Sequence, residues 1–535
     1  MQDTPMQRGF DALRDAWLQA TQDPRRRLLV WRLPANANRL LAAFFELQRH
    51  ASEASLPDYL LRIDTAYELG FRYSRQLKQD LLDRYLASQD ALREQDIGLG
   101  WRGPHTAHAD SAAGTMQVLS SFAAHHAEHL RLLAVVLEPE RCVPGEGFER
   151  WVDAAMAAAP DPRLRLVLVD TVEHPYWQDL VQRHGEQAAL VSADVDMFKI
   201  ARDSAAQAGG RGPEVLHRQL LADLMLLVER GSPAQVVARA DRARALASRH
   251  GWHDQLAVVQ MMEAGAWLKH ADHGKAIAAY RQAGQAASTA RGAGNPAGAE
   301  LALQSVFGEA GCWVAAGQPG RAAPVYLQAA QAASAIPHPM FALEGQRMAG
   351  WCLAQDGQRE AARDELLEAI RIAKPLSPAD RKATTLPQAL WDLLQLQDRP
   401  RSDKLAALAA TYLQHSTSLL SAADAQARAL GPQPPRPALD AIELQLDAQL
   451  EDGFHRAQQA REQLIQAGDA FFRSIVAVGR DYLDRGWNGL PEIQHPLASA
   501  PEQWTQAPAM QPLPDPAPLL EPPLERVADE GVATA

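Results

Sequence analysis

No stretch of the 535 residues approaches the roughly 18 uninterrupted apolar residues that a membrane-spanning helix requires. The opening segment MQDTPMQRGFDALRDAW lacks the apolar run of a secretion signal, so the expectation is a cytoplasmic protein without membrane association. Cysteine is scarce and dispersed, at Cys142, Cys312 and Cys352, which leaves neither a disulfide framework nor a CxxC metal knuckle. Only seven of the 53 basic residues are Lys, leaving 46 Arg, a usage similar to that of chains from GC-rich bacterial genomes. Aromatic residues make up 6%, and with Ala, Leu and Gln abundant this composition leans toward helix and away from an all-β fold. The formal charge of −12 speaks against a surface that binds nucleic acid by neutralising phosphates, since the one basic cluster is the short run Arg25, Arg26, Arg27.

The length exceeds what a single core normally fills, so two to four units are expected. Over residues 1–212 short apolar runs alternate with helical stretches, the pattern of a parallel α/β domain. The runs are LLVWRL (28–33), YLLRI (59–63), LLAVVLE (132–138), LRLVLVD (164–170) and AALVS (188–192), each too short for a helix and bounded by polar or Pro-containing turns. Three buried central strands and two edges are expected, with helices over 35–53, 73–95 and 114–129; buried helix segments are the alternative that periodicity alone leaves open.

From about Pro213 the apolar spacing is purely helical and the chain repeats. The segments KHADHGKAIAAYRQAGQAA, VAAGQPGRAAPVYLQAAQAA and LAQDGQREAARDELLEAIRIA align. Each has a turn, a small residue (Ala276, Ala322, Ala362), a large one four later (Tyr280, Tyr326, Leu366) and a small one three beyond (Ala283, Ala329, Ala369). A fainter copy follows Gly231 with Val236, Ala240 and Ala243. Over about residues 213–375 this resembles the tetratricopeptide repeat, a pair of antiparallel helices that cross closely at small residues. The anchors at 231, 271, 317 and 357 are spaced more widely than the family's 34 residues, which implies longer helices or loops. Gly350 and Ala362 are expected at one such crossing with Leu366 beside them.

Residues 401–486 read as C-terminal helices broken by PQPPRP at 432–437. An amphipathic stripe runs through Leu439, Ile442, Leu446, Leu450 and Phe454 and on through Ile465, Phe472, Ile475 and Tyr482, interrupted at Gly453 and Gly468. It fits either packing within the chain or a coiled-coil arm. Residues 487–535 read as a Pro-rich acidic tail too poor in apolar surface to fold alone. The fold class is therefore predominantly α: an N-terminal α/β domain with a short, mostly parallel sheet, then a TPR-like α-solenoid and a long C-terminal helical segment.

An α/β domain followed by such repeats resembles the layout of bacterial signalling ATPases. The first strand, however, leads into PANANRLL, which lacks the glycines and Lys of a phosphate-binding loop. LVLVD ending at Asp170 is similar to a Walker B strand, and equally to many buried strands. His125, His126 and His129 lie in one expected helix, near His105 and His108, and His125 and His129 have the i, i+4 spacing of zinc ligands, without a third ligand at defined spacing. Cys142, Ser120 and Ser121 sit in no nucleophile motif, and Asp194 and Asp196 follow a strand where α/β sheets place ligands or where a helix begins. No catalytic residue, metal or cofactor is expected.

The repeat resemblance implies a groove lined by the first helix of each pair. Carried over copy by copy, its residues are Arg218, Met225 and Glu229; Met261 and Lys269; Gln304 and Phe307; and Glu344, Arg347, Trp351 and Gln355. Arg347 and Trp351 lead, because Arg and Trp most often dominate interface energetics. The function implied is a non-enzymatic adaptor or chaperone with a protein partner. The layout is also similar to accessory factors encoded beside secreted bacterial effectors, including those of type VI secretion, which implies an effector or secretion component as that partner. The alternative is a signalling or regulatory protein whose NTPase-like N-terminal domain binds a nucleotide.

Overall fold

A computed structural model describes residues 4–48, 56–94, 100–103, 106–140, 145–158, 161–207, 212–494, 512–515 and 517–520. The chain divides into two compact units, Met1–Ala222 with Gln414–Asp452 and Asp223–Leu413 with Gly453–Ala535.

The first unit carries α1 (Pro5–Ala20), β1 (Leu28–Leu33), α2 (Asn38–Leu47), β2 (Tyr59–Ile63), α3 (Gly70–Ala87), α4 (Gln89–Glu94), α5 (Ala112–His125), β3 (Leu133–Leu137), α6 (Gly145–Ala157), β4 (Leu164–Thr171), α7 (Gln178–His184), β5 (Ala188–Val191) and α8 (Met197–Gln207). The sheet is all-parallel in the order β2-β3-β4-β1-β5. Its three inner strands are the runs richest in Leu and Val, as expected of a parallel sheet covered on both faces. Alternate residues point to opposite faces. Leu28, Val30, Val135 and Leu166 join a core under α3, α5, α6 and α7, while Leu29, Trp31, Val136 and Val167 join one under α1, α2 and α8. The β1–β2 connection thus covers one face and the β4–β5 connection the other, so the reversal point falls between the carboxyl ends of the neighbouring strands β1 and β4. Residues 414–452 complete this unit: Leu69 and Phe71 pack on Ala423, Ala427, Leu439, Leu446 and Leu450. Arg72 pairs with Glu443 at 2.7 Å and Arg75 with the same carboxylate at 2.9 Å.

The chain passes into the second unit within α9 (Pro213–Arg230). There follow α10 (Pro233–Arg249), α11 (His253–Lys269), α12 (His273–Gly292), α13 (Gly298–Ala315), α14 (Pro319–Ala335), α15 (Pro339–Gln355), α16 (Arg359–Ala373), α17 (Pro378–Ala383) and α18 (Leu386–Gln397). From α10 to α16 each helix packs on the next, a stack of helix pairs. The aligned small residues are the contact points: Ala276, Ala283, Ala322, Ala329, Ala362 and Ala369 are fully buried. A Cβ on Gly350 would stand 2.7 Å from Leu366 Cγ and 3.0 Å from the Ala362 carbonyl, so only glycine permits this crossing. The turn inside each of the three well-matched pairs holds a left-handed residue at the same place, Gly317 (φ 69°), Gly357 (φ 83°) and, unusually, Ala271 (φ 59°).

The C-terminal helices are α19 (Arg399–Ala429), α20 (Arg436–Gln466) and α21 (Ala470–Tyr482). PQPPRP breaks the chain between α19 and α20, and Gly468 precedes α21; Gly453 is buried inside an unbroken α20. The amphipathic stripe is core, its first part within the first unit and its later part within the second. Its first part packs with α3 and its surroundings, and Ile465, Phe472, Ile475 and Tyr482 pack with α16 and α18. Residues 401–486 accordingly are not a module of their own. In the second unit the fully buried Arg461 donates to Asn488 Oδ1 and to the Leu405 and Pro491 carbonyls, fixing the segment after α21. The tail holds a second departure from expectation. Around α22 (Ala517–Leu520), Leu513 and Leu519 are half-buried against the apolar cluster of α16, α18 and α21, because these leucines supply apolar area that the average composition hides.

Candidate functional site

Open parallel sheets bind ligands outside the carboxyl ends of strands, at the reversal point. Here that place is filled by the chain itself. Arg32, at the end of β1, donates to Asp170 Oδ2 through Nη2 at 2.8 Å and Nε at 3.2 Å, and to Gln178 Oε1 at 2.6 Å. The Asp170 carboxylate, almost wholly buried, also accepts the backbone N–H groups of Thr171, Tyr176 and Trp177. The turn PANAN, where a phosphate loop would lie, offers the Ala35 N–H, and it is taken by Glu173 at 2.9 Å. Asp196 accepts from the Phe198 N–H at 2.9 Å and from Asn36, a helix cap for α8, and Asp194 pairs with Lys199 at 2.8 Å.

Several of the other residues singled out from the sequence are also engaged in the fold. α5 ends at His125, so His125 and His129 do not share a helix face as the i, i+4 spacing predicts. His126 is buried among Phe122 and Tyr85, and burial with His125 and His129 nearby pushes its pKa down to about 4. Among the described residues no group of three His, Cys, Asp or Glu side chains lies close enough to hold a metal ion. Ser120 accepts from the Asp161 N–H and Ser121 from Trp101 Nε1. Burial pushes the Cys312 and Cys352 thiols up to about 11, keeping them protonated at neutral pH. Cys142 and His105 lie outside the described residues.

On the helix pairs, Arg218, Met225, Glu229, Lys269, Gln304 and Gln355 are exposed and Met261 half-buried. Lys269 donates to the Glu229 carbonyl, covering the end of α9. Phe307 stacks edge-on with Tyr326 at 5.9 Å and lies 5.5 Å from Phe341. Arg347 is 11% exposed and its fork is already filled: Glu344 accepts from Nε and Nη2, both at 2.8 Å, and Asp392 from Nη1 at 3.0 Å. Burial opposes its charge, but these bonds outweigh it and raise the pKa above the ordinary Arg value. Thr385 and Gln388 donate to the same two carboxylates, closing the network. Trp351 packs half-buried against the cluster of Ala310, Ala322, Tyr326 and Cys352. The pair expected to lead an interface therefore has an internal role visible in the packing; Met261, Phe307 and Glu344 are half-buried, and the exposed positions are Arg218, Met225, Glu229, Lys269, Gln304 and Gln355.

Sequence reasoning missed Asp110. Its buried carboxylate accepts from Lys78 Nζ at 2.8 Å and Arg75 Nε at 2.9 Å, with Arg436 at 3.3 Å. Burial alone would raise its pKa, yet the Lys78 and Arg75 bonds hold it below the ordinary carboxylate value. The available signal was Lys78, a cation one residue after Leu77 on the apolar side of α3.

No protein-family model matches the chain, and no curated protein matches its sequence.

Proposed function

We propose that the chain is a non-enzymatic interaction scaffold, an adaptor or chaperone, whose stacked helix pairs receive a polypeptide partner on the surface of their first helices. The observation that carries this reading is the regular packing of the pairs through buried small residues, which leaves Met225, Gln304 and Gln355 outside the packing on α9, α13 and α15. The chain's own Leu513 and Leu519 dock elsewhere on the same unit, against α16, α18 and α21, and so leave the surface of the first helices to a partner. A secreted effector or secretion component remains the partner class to test first, in a cytoplasmic setting. The test is affinity capture from the source cell, followed by calorimetry of each purified partner against the parent and a Met225→Arg/Gln304→Arg variant. A weakening of tenfold or more is expected for a real groove ligand, about 1.4 kcal/mol. Equal affinity for every partner rules out this surface.

The all-parallel sheet with its reversal point at β1 and β4 favours a second reading, a nucleotide-dependent signalling protein. The Arg32–Asp170 pair and Glu173 stand against it, and magnesium-dependent ATP turnover that Asp170→Ala abolishes would restore it.

A further inference from the structure

The first unit contains an open-mouthed cleft of about 490 Å³ between the start of α3, the start of α5, α6 and residues 424–439. That is within the range of small-molecule sites, roughly 300–1,000 Å³. It exists because Gly and Ala line much of it. Ala154 and Ala157 form an exposed wall along α6, while Tyr67, Phe71 and Trp151 supply aromatic surface. At ~30 Å³ per water the space equals about sixteen waters, and a wall of carbon offers them few partners.

Its polar groups are unequal. The Asp110 carboxylate is taken by Lys78, Arg75 and Arg436, and Asp424 by the Gly70 N–H at 3.2 Å and Arg428 at 3.3 Å. Ser111 donates to the Pro432 carbonyl and caps α5 at Gly114. Arg150 differs. Its Nη1 meets only the exposed Glu146 at 3.2 Å, and its Nε is buried with no hydrogen-bond acceptor among the described residues. The acids are neutralised from behind, whereas the guanidinium on the cleft wall lacks a buried counter-charge.

We infer that this cleft binds a small amphipathic anion, with an apolar, ring-sized body against Trp151 and the Ala154–Ala157 wall and one carboxylate-like group on Arg150. Apolar shape supplies the affinity, and the half-exposed Arg150 guanidinium, paired among the described residues only with the exposed Glu146, supplies orientation and the preference for an anion.

The experiment uses the full chain and two fluorescent probes of matched shape: 8-anilinonaphthalene-1-sulfonate, which is anionic, and N-phenyl-1-naphthylamine, which is neutral. The parent should bind both saturably at one site. Ala154→Trp fills the cleft from an exposed position and should abolish both, and Ala157→Trp is the second filler should the first fail to fold by circular dichroism. Arg150→Gln should weaken the sulfonate at least tenfold and leave the neutral probe within twofold. Absence of saturable binding by the parent, or unchanged binding in a folded filler variant, overturns the site. Equal effects of Arg150→Gln on the two probes overturn the anion assignment.

Discussion

Replacing a glycine by alanine inside a helix should have opposite consequences at two positions of the helix stack. Gly265 lies within α11 with nothing within 4 Å of an added Cβ. Gly350 lies within α15, where the same methyl would meet Leu366 Cγ at 2.7 Å and the Ala362 carbonyl at 3.0 Å. Both substitutions lower the entropy cost of folding, by about 0.5–1 kcal/mol. Only the second also overpacks. Carbon atoms prefer ~3.5–4.0 Å, so α15 and α16 must part by roughly 1 Å, at a cost of about 1–3 kcal/mol. Leu366 and Ala362 are fully buried and cannot turn away. Gly265→Ala should therefore stabilise the unit by about 0.5–1 kcal/mol, and Gly350→Ala should destabilise it by roughly 0.5–2 kcal/mol net of the entropy gain. Urea unfolding followed at 222 nm, with hydrogen exchange of α15 and α16 to assign the affected region, reads both. Shifts of the same sign would refute the claim that crossing distance at Gly350 governs this pair.

Ala271 holds a left-handed φ of 59° where the equivalent turns have glycine, so Ala271→Gly should raise the urea midpoint, by about 0.5–1 kcal/mol in stability; a lower midpoint would show the turn is not strained. His126, neutral in the fold because its pKa is pushed down to about 4, binds its proton more readily once unfolded. Its contribution is complete above pH 6.5 and lost as pH falls toward 4. His126→Phe should then lose less thermal stability than the parent across that window, and parallel curves would refute the assignment. Cys312 and Cys352, with thiols near 11, should resist iodoacetamide at pH 8 in the folded protein and react rapidly in urea. Fast native alkylation of either, read by mass spectrometry, would contradict its burial.

Local pattern carried much of the architecture. All five strands fall on the short apolar runs because a parallel strand covered on both faces must be apolar along its length, and a run of five or six residues such as LAVVL or LLVWRL meets that need without help. The helix pairs were legible for a related reason: crossing distance depends on the size of single side chains, so Ala276, Ala322 and Ala362 mark it in the sequence as they do in the packing. Helix ends were less so. The apolar pattern near His125 runs past the end of α5, where backbone hydrogen bonding decides.

What the sequence could not decide depends on pairings between distant residues. Period three-and-four spacing establishes that Leu439 to Tyr482 has an apolar face, but whether that face meets Phe71 or Leu390 depends on the path of the intervening chain, and it meets both in succession. Arg347 reads as an open cation because Asp392, 45 positions away, is invisible to a helical window; burial of the two together converts a candidate contact into a structural ion pair. The strand order, the filling of the β1–β4 crevice by Arg32 and Asp170, 138 residues apart, and the cleft around Arg150 have the same origin. Side-chain type and spacing determine which surfaces must be covered, and only the folded chain determines by what.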